Sequence, residues 1–258
     1  MSLPLGAVSG LLVGMVGPGR RPAAIVALEG PSGAGKTSVA ARLAPLLGAT
    51  VVPEAYDRLG RPFPLTFRGR DELADLERQL VREDGRRWTD AVALRGRGTP
   101  VVLDTGTFAP LAYSWGLREG VDGALDVLIE LVRTVRRMRS LGKWGLPDLT
   151  IYLDVPDSVA RARAGRDPGD HPPETVERHA AVGRWERLLY GREFPRMLPG
   201  RFLSVSGEGR PAEVALLIQE RLERLGPLPP ASPSEAEMLL RVFEGQGSGA
   251  PALRHPNL

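Results

Sequence analysis

Short apolar runs alternate with longer stretches of helical periodicity over most of the 258 residues. The runs predict five buried strands, at residues 25–28, 50–52, 101–103, 150–153 and 202–205. Helices are predicted at 35–47, 71–97, 121–141, 156–164, 173–190 and 211–225. Because helical segments separate the strands, the sequence predicts an α/β fold built on a parallel sheet.

Composition divides the chain into three parts. Residues 1–22 form an apolar leader, which lacks the basic start of a secretory signal. Its apolar stretch, 3–16, is shorter than the roughly 20 residues that span a bilayer. We expect a poorly ordered leader or a strap against the main domain at 23–225. A Pro-rich linker, a short helix at 234–244 and a disordered tail are predicted within 226–258.

The charge and the rare residue types exclude several classes of protein. The chain has 34 basic and 31 acidic residues, a formal net charge of +3, and no basic run typical of a nucleic-acid interface. The absence of cysteine excludes disulfides, thiolate metal sites and thiol catalysis. The only asparagine is Asn257, so the guanine-reading motif of GTPases cannot be present. We expect a cytoplasmic protein with no nucleic-acid or membrane partner.

The first predicted strand ends in Glu29 and leads into Gly-Pro-Ser-Gly-Ala-Gly-Lys-Thr at residues 30–37. This is the full pattern of a phosphate-binding loop. Its glycines let backbone N–H groups point at phosphate oxygens, and the start of the next helix adds partial positive charge. The sequence therefore predicts a nucleoside triphosphate held by Gly30, Pro31, Ser32, Gly33, Ala34, Gly35, Lys36, Thr37 and Ser38.

Lys36 and Thr37 have more specific roles in this prediction. Of the 34 basic residues only Lys36 and Lys143 are lysine, so a lysine in this pattern is not a random basic residue. Lys36 is expected to bring its charge to the outer phosphates, and Thr37 to offer its hydroxyl to Mg²⁺.

Acidic residues follow three of the other predicted strands. Asp104 follows an apolar strand. An acid at this position can hold Mg²⁺ through water or orient the attacking hydroxyl. The alternative is a carboxylate that caps the next segment. Glu54 is the best candidate for a general base, and an exposed loop acid is the alternative. Asp154 precedes a predicted helix, where capping and loop bracing are favoured.

Arginines cluster near the end of the fourth predicted helix. Arg161, Arg163 and Arg166 are close enough in sequence to converge on one anion, and a segment that closes over the substrate with them would exclude water. The alternative is a solvated basic surface at a helix end.

These motifs together resemble the nucleoside and nucleotide kinase branch of P-loop proteins, which includes deoxynucleoside kinases and thymidylate kinases. The resemblance lies in Leu28-Glu29-Gly30, in Pro53-Glu54, in Val102-Leu103-Asp104 and in residues 147–155. It implies a three-layer P-loop NTPase fold with a five-stranded parallel sheet in the order 2-3-1-4-5. It also implies an arginine-bearing lid at about 161–173, and that Ser206 and Gly207 lie in the loop on which the adenine of ATP rests.

The resemblance breaks down after the third strand. These kinases usually carry Asp-Arg there, whereas this chain has Asp104-Thr105-Gly106. The missing arginine normally steadies the acceptor or the transferring phosphate. Acceptors other than a nucleoside therefore stay open.

The sequence predicts a phosphotransferase that uses ATP and Mg²⁺ to phosphorylate a hydroxyl or phosphate group of a small acceptor, first of all a nucleoside or nucleotide. Alternatives are a kinase of another small hydroxyl compound such as an antibiotic, a nucleotide-binding regulatory module with little turnover, and an ATPase acting on nucleic acid. A homodimer stays open. The predicted catalytic residues are Lys36, Glu54, Asp104, Arg161, Arg163 and Arg166, with Glu54 or Asp104 as the base and Thr37 and Asp104 at the metal.

Overall fold

The computed structural model describes residues 23–60, 67–118, 120–164 and 173–245. Five parallel strands form one sheet in the order β2-β3-β1-β4-β5. They are β1 (Ile25–Glu29), β2 (Thr50–Val52), β3 (Val101–Asp104), β4 (Leu149–Asp154) and β5 (Phe202–Ser206). The predicted fold class and strand order are confirmed. The predicted leader at 1–22 and the predicted tail from residue 246 lie outside the described residues.

Helices lie on both faces of the sheet. They are α1 (Lys36–Leu47), α2 (Ala55–Arg58), α3 (Arg70–Gly96), α4 (Ala109–Leu117), α5 (Ala124–Ser140), α6 (Asp157–Ala164), α7 (Pro173–Leu188), α8 (Phe194–Met197), α9 (Pro211–Leu225) and α10 (Pro233–Glu244). A π-helical turn, Leu189–Glu193, joins α7 to α8. Within the described ranges, no helix is long and apolar enough to cross a membrane.

The alternation of side chains along β1 builds the three layers. Val26 and Leu28 pack with apolar residues of α1 and α9 on one face. Ile25 and Ala27 pack on the other face, where Trp88 of α3 covers them. Both sets are almost fully buried, as expected for a parallel sheet covered by helices on each side.

α3 continues through Gly85, although glycine is a poor helix former. A Cβ atom at Gly85 would lie 2.1 Å from Cε of Met138 and 3.1 Å from the carbonyl oxygen of Lys143. The glycine therefore lets α3 approach the end of α5 closely, and this packing outweighs its low helix propensity.

α2, α4, α8 and most of the π-helical turn are absent from the sequence prediction. α4 is buried on nearly all sides, at Pro110, Leu111, Ala112, Ser114, Trp115, Gly116 and Leu117. A helix without a polar face gives no amphipathic period, so its pattern could not be distinguished from a loop or a strand.

The buried carboxylate of Asp148 joins three distant segments. It accepts hydrogen bonds from the backbone N–H of Ile25 at 2.8 Å and of Ala231 at 3.0 Å. Its cationic partner is Arg95, 3.3 Å away. The start of β1, the end of α3 and the segment before α10 are therefore tied to the start of β4.

Replacing Asp148 with alanine is expected to lower the free energy of unfolding by about 2–4 kcal/mol, because buried N–H donors lose their acceptor. Urea unfolding monitored by circular dichroism measures the change. Asp75→Ala is the control, since its pair with Arg78 is exposed and is expected to contribute less than about 0.5 kcal/mol. Equal stability of the two variants would contradict the role of Asp148.

Candidate functional site

The phosphate-binding loop has the backbone that its sequence predicts. Gly30, Gly33 and Gly35 all have positive φ angles, of 146°, 82° and 91°, before α1 begins at Lys36. A Cβ atom at Gly33 would lie 2.2 Å from the carbonyl oxygen of Ala160 in α6. Glycine is required there both for the backbone angle and for the close packing of α6 on the loop.

The two polar side chains at the start of α1 contact different parts of the site. Nζ of Lys36 donates hydrogen bonds across the loop to the carbonyl oxygens of Gly30 at 2.8 Å and of Pro31 at 3.4 Å. The side chain of Thr37 lies close enough to the carboxylate of Asp104 to lower its pKa. The ammonium group thus lies at the mouth of the loop, and the threonine hydroxyl lies beside the end of β3.

Asp104 is 1% exposed, and its Oδ1 has no hydrogen-bond partner among the described residues. Burial raises the pKa of this carboxyl group, while the side chain of Thr37 opposes the shift. An unpartnered buried carboxylate oxygen is costly. A cation, or a water held by a cation, at this position would satisfy it.

The turn after β3 differs from a regular strand end. Thr105 has a φ angle of 71°, which is rare for a β-branched residue. In this conformation its Oγ1 donates a hydrogen bond to Oε2 of Glu54 at 3.0 Å. Thr105 therefore orients the carboxylate that the sequence predicts as the general base.

Arg87 of α3 holds this turn through hydrogen bonds to backbone carbonyl oxygens. Its Nη2 donates to the carbonyl oxygens of Asp104 at 2.6 Å and Thr105 at 2.8 Å, and its Nε donates to that of Pro53 at 2.6 Å. Nη1 pairs with Asp84, one helical turn away. The sequence analysis missed this buried pair; its one signal was an Asp and an Arg three residues apart within the predicted helix.

Glu29 connects the loop to the same turn from the other side. Its Oε1 accepts hydrogen bonds from the N–H of Gly106 at 3.1 Å and from the hydroxyl of Tyr190 at 3.0 Å. A Cβ atom at Gly106 would lie 2.5 Å from that oxygen. Burial, with the negative charge of Glu186, raises the pKa of Glu29 to about 8.

The raised pKa of Glu29 predicts a pH-dependent stability. The folded state holds this proton up to about pH 8, whereas the unfolded state releases it near pH 4.5. Stability is therefore lost as pH rises between these values. Glu29→Gln keeps an acceptor but cannot ionise, so its stability relative to wild type should rise by about 3 kcal/mol between pH 5 and pH 8. Urea unfolding at both pH values measures this, and a constant difference would contradict it.

Two cavities adjoin the phosphate loop. The first, which we call the acidic cavity, has a volume of about 420 Å³ and is bounded by the loop, the segment after β2, α3, α4 and α7. The second, the β5 cavity, has a volume of about 430 Å³ and is bounded by the loop and by residues 207–211. Gly33, Gly35, Ser38 and Arg163 line both cavities. The loop therefore lies between two separate spaces.

The two described arginines of the predicted lid, Arg161 and Arg163, have different surroundings in the structure. Arg163 spans the gap between α6 and the end of β5, donating to the carbonyl oxygens of Gly207 and Glu208, each at 2.9 Å. Arg161 pairs with Glu177 at 2.5 Å and does not line the acidic cavity. Arg166 lies outside the described residues, as does most of the predicted lid.

The remaining predicted residues lie at the ends of β4 and β5. Gly207 lines the β5 cavity, and its N–H donates to the carbonyl oxygen of Asp154 at 2.8 Å. Ser206 precedes it and accepts a weak hydrogen bond from the N–H of Glu208 at 3.4 Å. The carboxylate of Asp154 accepts a hydrogen bond from Arg187 at 3.0 Å, a contact that braces the loop before α6.

Two acids that the sequence analysis missed also line the acidic cavity: Glu77 of α3 and Glu186 of α7. Glu77 is 1% exposed, and its Oε2 has no hydrogen-bond partner in the described part of the chain. Burial raises the pKa of Glu186 to about 7, with the charge of Lys36 opposing the shift. Neither follows a strand, so the rule that ligands bind at strand ends could not find them.

Similarity to known proteins agrees with this geometry. A family model described as an AAA domain matches residues 25–140. The chain is 30% identical over 223 residues to the thymidylate kinase of Leifsonia xyli subsp. xyli, a match that covers 80% of this chain and 97% of that enzyme. It is 32% identical over 151 residues to the thymidylate kinase of Baumannia cicadellinicola, covering 54% and 67% of the two chains.

The fold is also that of a solved kinase. The deoxyadenosine kinase of M. mycoides with bound dATP superimposes with a TM-score of 0.57 at 15% identity, covering 78% of this chain and 99% of that one. The same enzyme with dCMP and dCDP gives a TM-score of 0.58. The loop geometry, the sheet order and the similarity along nearly the whole length of a thymidylate kinase agree, and the chain is a phosphotransferase that belongs to the P-loop nucleoside and nucleotide kinase family.

Proposed function

We propose that this protein transfers the γ-phosphoryl group of ATP to a small acceptor molecule, with ATP in the β5 cavity and the acceptor in the acidic cavity. The observation that carries the proposal is the position of the phosphate loop between the two spaces. A triphosphate on the loop would present its base to one cavity and its terminal phosphate to the other.

On the donor side, Lys36 and the loop amides would bind the phosphates. Gly207, which lines the β5 cavity, and Ser206, which precedes it, would lie against the adenine. Arg163 lines both cavities and already spans α6 and the end of β5, so it is the predicted arginine best placed to reach the transferring phosphate. Arg161 and Arg166 stay predictions, and Arg161 would first have to leave Glu177.

The residues at the end of β3 fit Mg²⁺. Thr37 and the unpartnered Oδ1 of Asp104 offer hard oxygen ligands, directly or through water. In the described ranges no group of three or more acidic or histidine side chains could hold a metal alone, so phosphate oxygens would complete the ligand set. The ion would supply neutralisation of phosphate charge.

On the acceptor side, Glu54 would take the proton. It lines the acidic cavity and is oriented by Thr105, whereas Asp104 is buried against Thr37. The acceptor oxygen forms a bond to the γ-phosphorus, the bond from that phosphorus to the β,γ-bridging oxygen breaks, and ADP leaves. The acceptor proton passes to Glu54, which makes Glu54 the base and leaves Asp104 to the metal.

The relatives favour a nucleoside or nucleotide as the acceptor, since they are named for thymidylate and deoxyadenosine. Another small hydroxyl compound is the second candidate. The sequence lacks the usual arginine after Asp104, and each nitrogen of Arg87, which lies beside that turn, donates to a protein acceptor. Arg87 therefore does not replace the missing guanidinium.

The test is a transfer assay with γ-labelled ATP and Mg²⁺ against nucleosides, nucleoside monophosphates and other hydroxyl compounds. Appearance of label in one acceptor, dependent on Mg²⁺, is expected. Tight ATP binding with no transfer to any acceptor would instead favour the nucleotide-binding regulatory module.

A further inference from the structure

The acidic cavity is lined by more carboxyl groups than the proposed phosphoryl transfer uses. Four carboxylates line the cavity, from three different segments: Glu54 after β2, Glu77 and Asp84 on α3, and Glu186 on α7. Asp84 is neutralised by Arg87, and Glu54 is the proposed base. Glu77 and Glu186 are left without a role in binding or transferring the phosphoryl group.

The described cations that line this cavity form no ion pair with these two acids, although the charge of Lys36 acts on Glu186. In the proposed arrangement Lys36 and Arg163 serve the phosphates, and Arg87 is 1% exposed with every one of its nitrogen atoms donating to protein. His179 is the other described lining residue that can carry a positive charge, and its ring contacts Tyr113 edge-on at 5.5 Å. Among the described lining residues, an acceptor that carries a phosphate would therefore meet carboxylates without a dedicated guanidinium.

Glu77 is the acid for which a missing partner is most evident. Its carboxylate is buried, and Oε2 has no partner among the described residues. Burial together with the charge of Asp84 raises the pKa of Glu77 well above its usual value. Tyr113, which also lines the cavity, lies within electrostatic range of both Glu77 and Glu186. A ligand cation between these two acids would supply the missing partner.

We propose that the acceptor is a small hydroxyl compound that carries a protonated amine, with its cationic nitrogen beside Glu77 and Glu186 and its hydroxyl beside Glu54. The proposal rests on the phosphoryl transfer proposed above and names the acceptor class. Leu76, Leu80 and Val182 line the same space and would contact its carbon skeleton.

Arg178 is the nearby residue that would favour an acceptor with a phosphate group over one with an amine. Its guanidinium lies 4.2 Å from the ring centre of Phe67 and close enough to Tyr113 to act on the pKa of that phenol, and its Nη1 has no partner in the described part of the chain. Arg178 is not among the residues that line the acidic cavity, although its neighbour Tyr113 is.

Calorimetry with Mg²⁺ and β,γ-methylene-ATP tests the charge preference directly. Three matched pairs are compared: 4-amino-1-butanol with 1,4-butanediol, 2-deoxystreptamine with myo-inositol, and thymidine monophosphate with thymidine. Each amine is expected to bind about tenfold tighter than its neutral counterpart, and the monophosphate more weakly than thymidine. Amines that bind no tighter than their neutral counterparts, or a monophosphate that binds tighter than thymidine, overturn the proposal.

Charge-neutral variants test which residues cause the preference for amines. Glu77→Gln and Glu186→Gln should each weaken amine binding about tenfold without changing the Kd of β,γ-methylene-ATP. Asp75→Asn, on the exposed face of α3, is the control and should change neither. Arg178→Gln should leave amine binding unchanged; a loss of monophosphate binding in this variant would assign the site to an anion instead.

Failure of this proposal is distinguishable from failure of the proposed function. Binding of β,γ-methylene-ATP by wild type, and its loss in Lys36→Ala, tests the donor site without any acceptor. If the analogue binds and the monophosphate is preferred, only the acceptor class is wrong. If the analogue does not bind, the kinase function itself is overturned.

Discussion

Replacing Lys36 with alanine is expected to lower phosphoryl transfer about 10³-fold, because the γ-phosphate loses the one ammonium group at the mouth of the loop. Among the described residues, the partners of Nζ are the carbonyl oxygens of Gly30 and Pro31, which phosphate oxygens can replace. Transfer is measured with γ-labelled ATP and the best acceptor of the screen, and ATP affinity by calorimetry.

The chain offers a matched control for this substitution. Lys143 is the second of its two lysines, is exposed and lies outside both cavities. Lys143→Ala should retain the rate of wild type. Because Lys36 is half-buried and makes no ion pair with a described residue, Lys36→Ala should also unfold at the same urea concentration as wild type. A Lys36→Ala protein that is folded and as fast as wild type would remove the basis of the donor site.

The backbone of the loop could be predicted because it is specified locally. Eight consecutive residues specify the turn, the positive φ angles and the lysine. The five strands could also be predicted, since each is a short apolar run. α4 could not be predicted, because a helix buried on nearly all sides has no amphipathic period.

The acceptor side could be predicted only in part, because its residues meet through tertiary structure. Glu54 was identified from its place after a strand, but its contact with Thr105 depends on a left-handed backbone that a β-branched residue rarely adopts. Glu77 lies inside α3, and Glu186 lies in the last turn of α7. There a charged residue is normally solvated, and only the packing of α3 and α7 brings these two to one cavity.

Contacts from both sides also explain how the turn after β3 keeps Thr105 in a left-handed conformation. Arg87 binds the two carbonyl oxygens of the turn, and Glu29 binds the N–H of Gly106. Such over-determination is what holds a residue in a sparsely populated conformation. The strained residue, Thr105, is the one that contacts the proposed base, so the strain serves to position Glu54.

Replacing Glu54 with glutamine is expected to lower kcat about 10²-fold or more, because the amide cannot accept the acceptor's proton. Glutamine can still accept the hydrogen bond from Thr105, so the KM for ATP should change less than about twofold. Steady-state kinetics with the best acceptor of the screen measure both constants. A kcat within threefold of wild type would mean that Glu54 is not the base.

Two further variants separate proton transfer from positioning. Glu54→Ala leaves space for a small carboxylate, so added formate should restore part of its rate if the lost function is that of a base, and should not change Glu54→Gln. Thr105→Val removes only the hydroxyl that orients Glu54 and should cost less than the loss of Glu54 itself. Asp104→Asn should instead raise the Mg²⁺ concentration needed for half-maximal rate, because its proposed partner is the metal and not the acceptor. If formate restored nothing and Asp104→Asn alone abolished transfer at saturating Mg²⁺, the proton would have to pass to Asp104, despite its burial against Thr37.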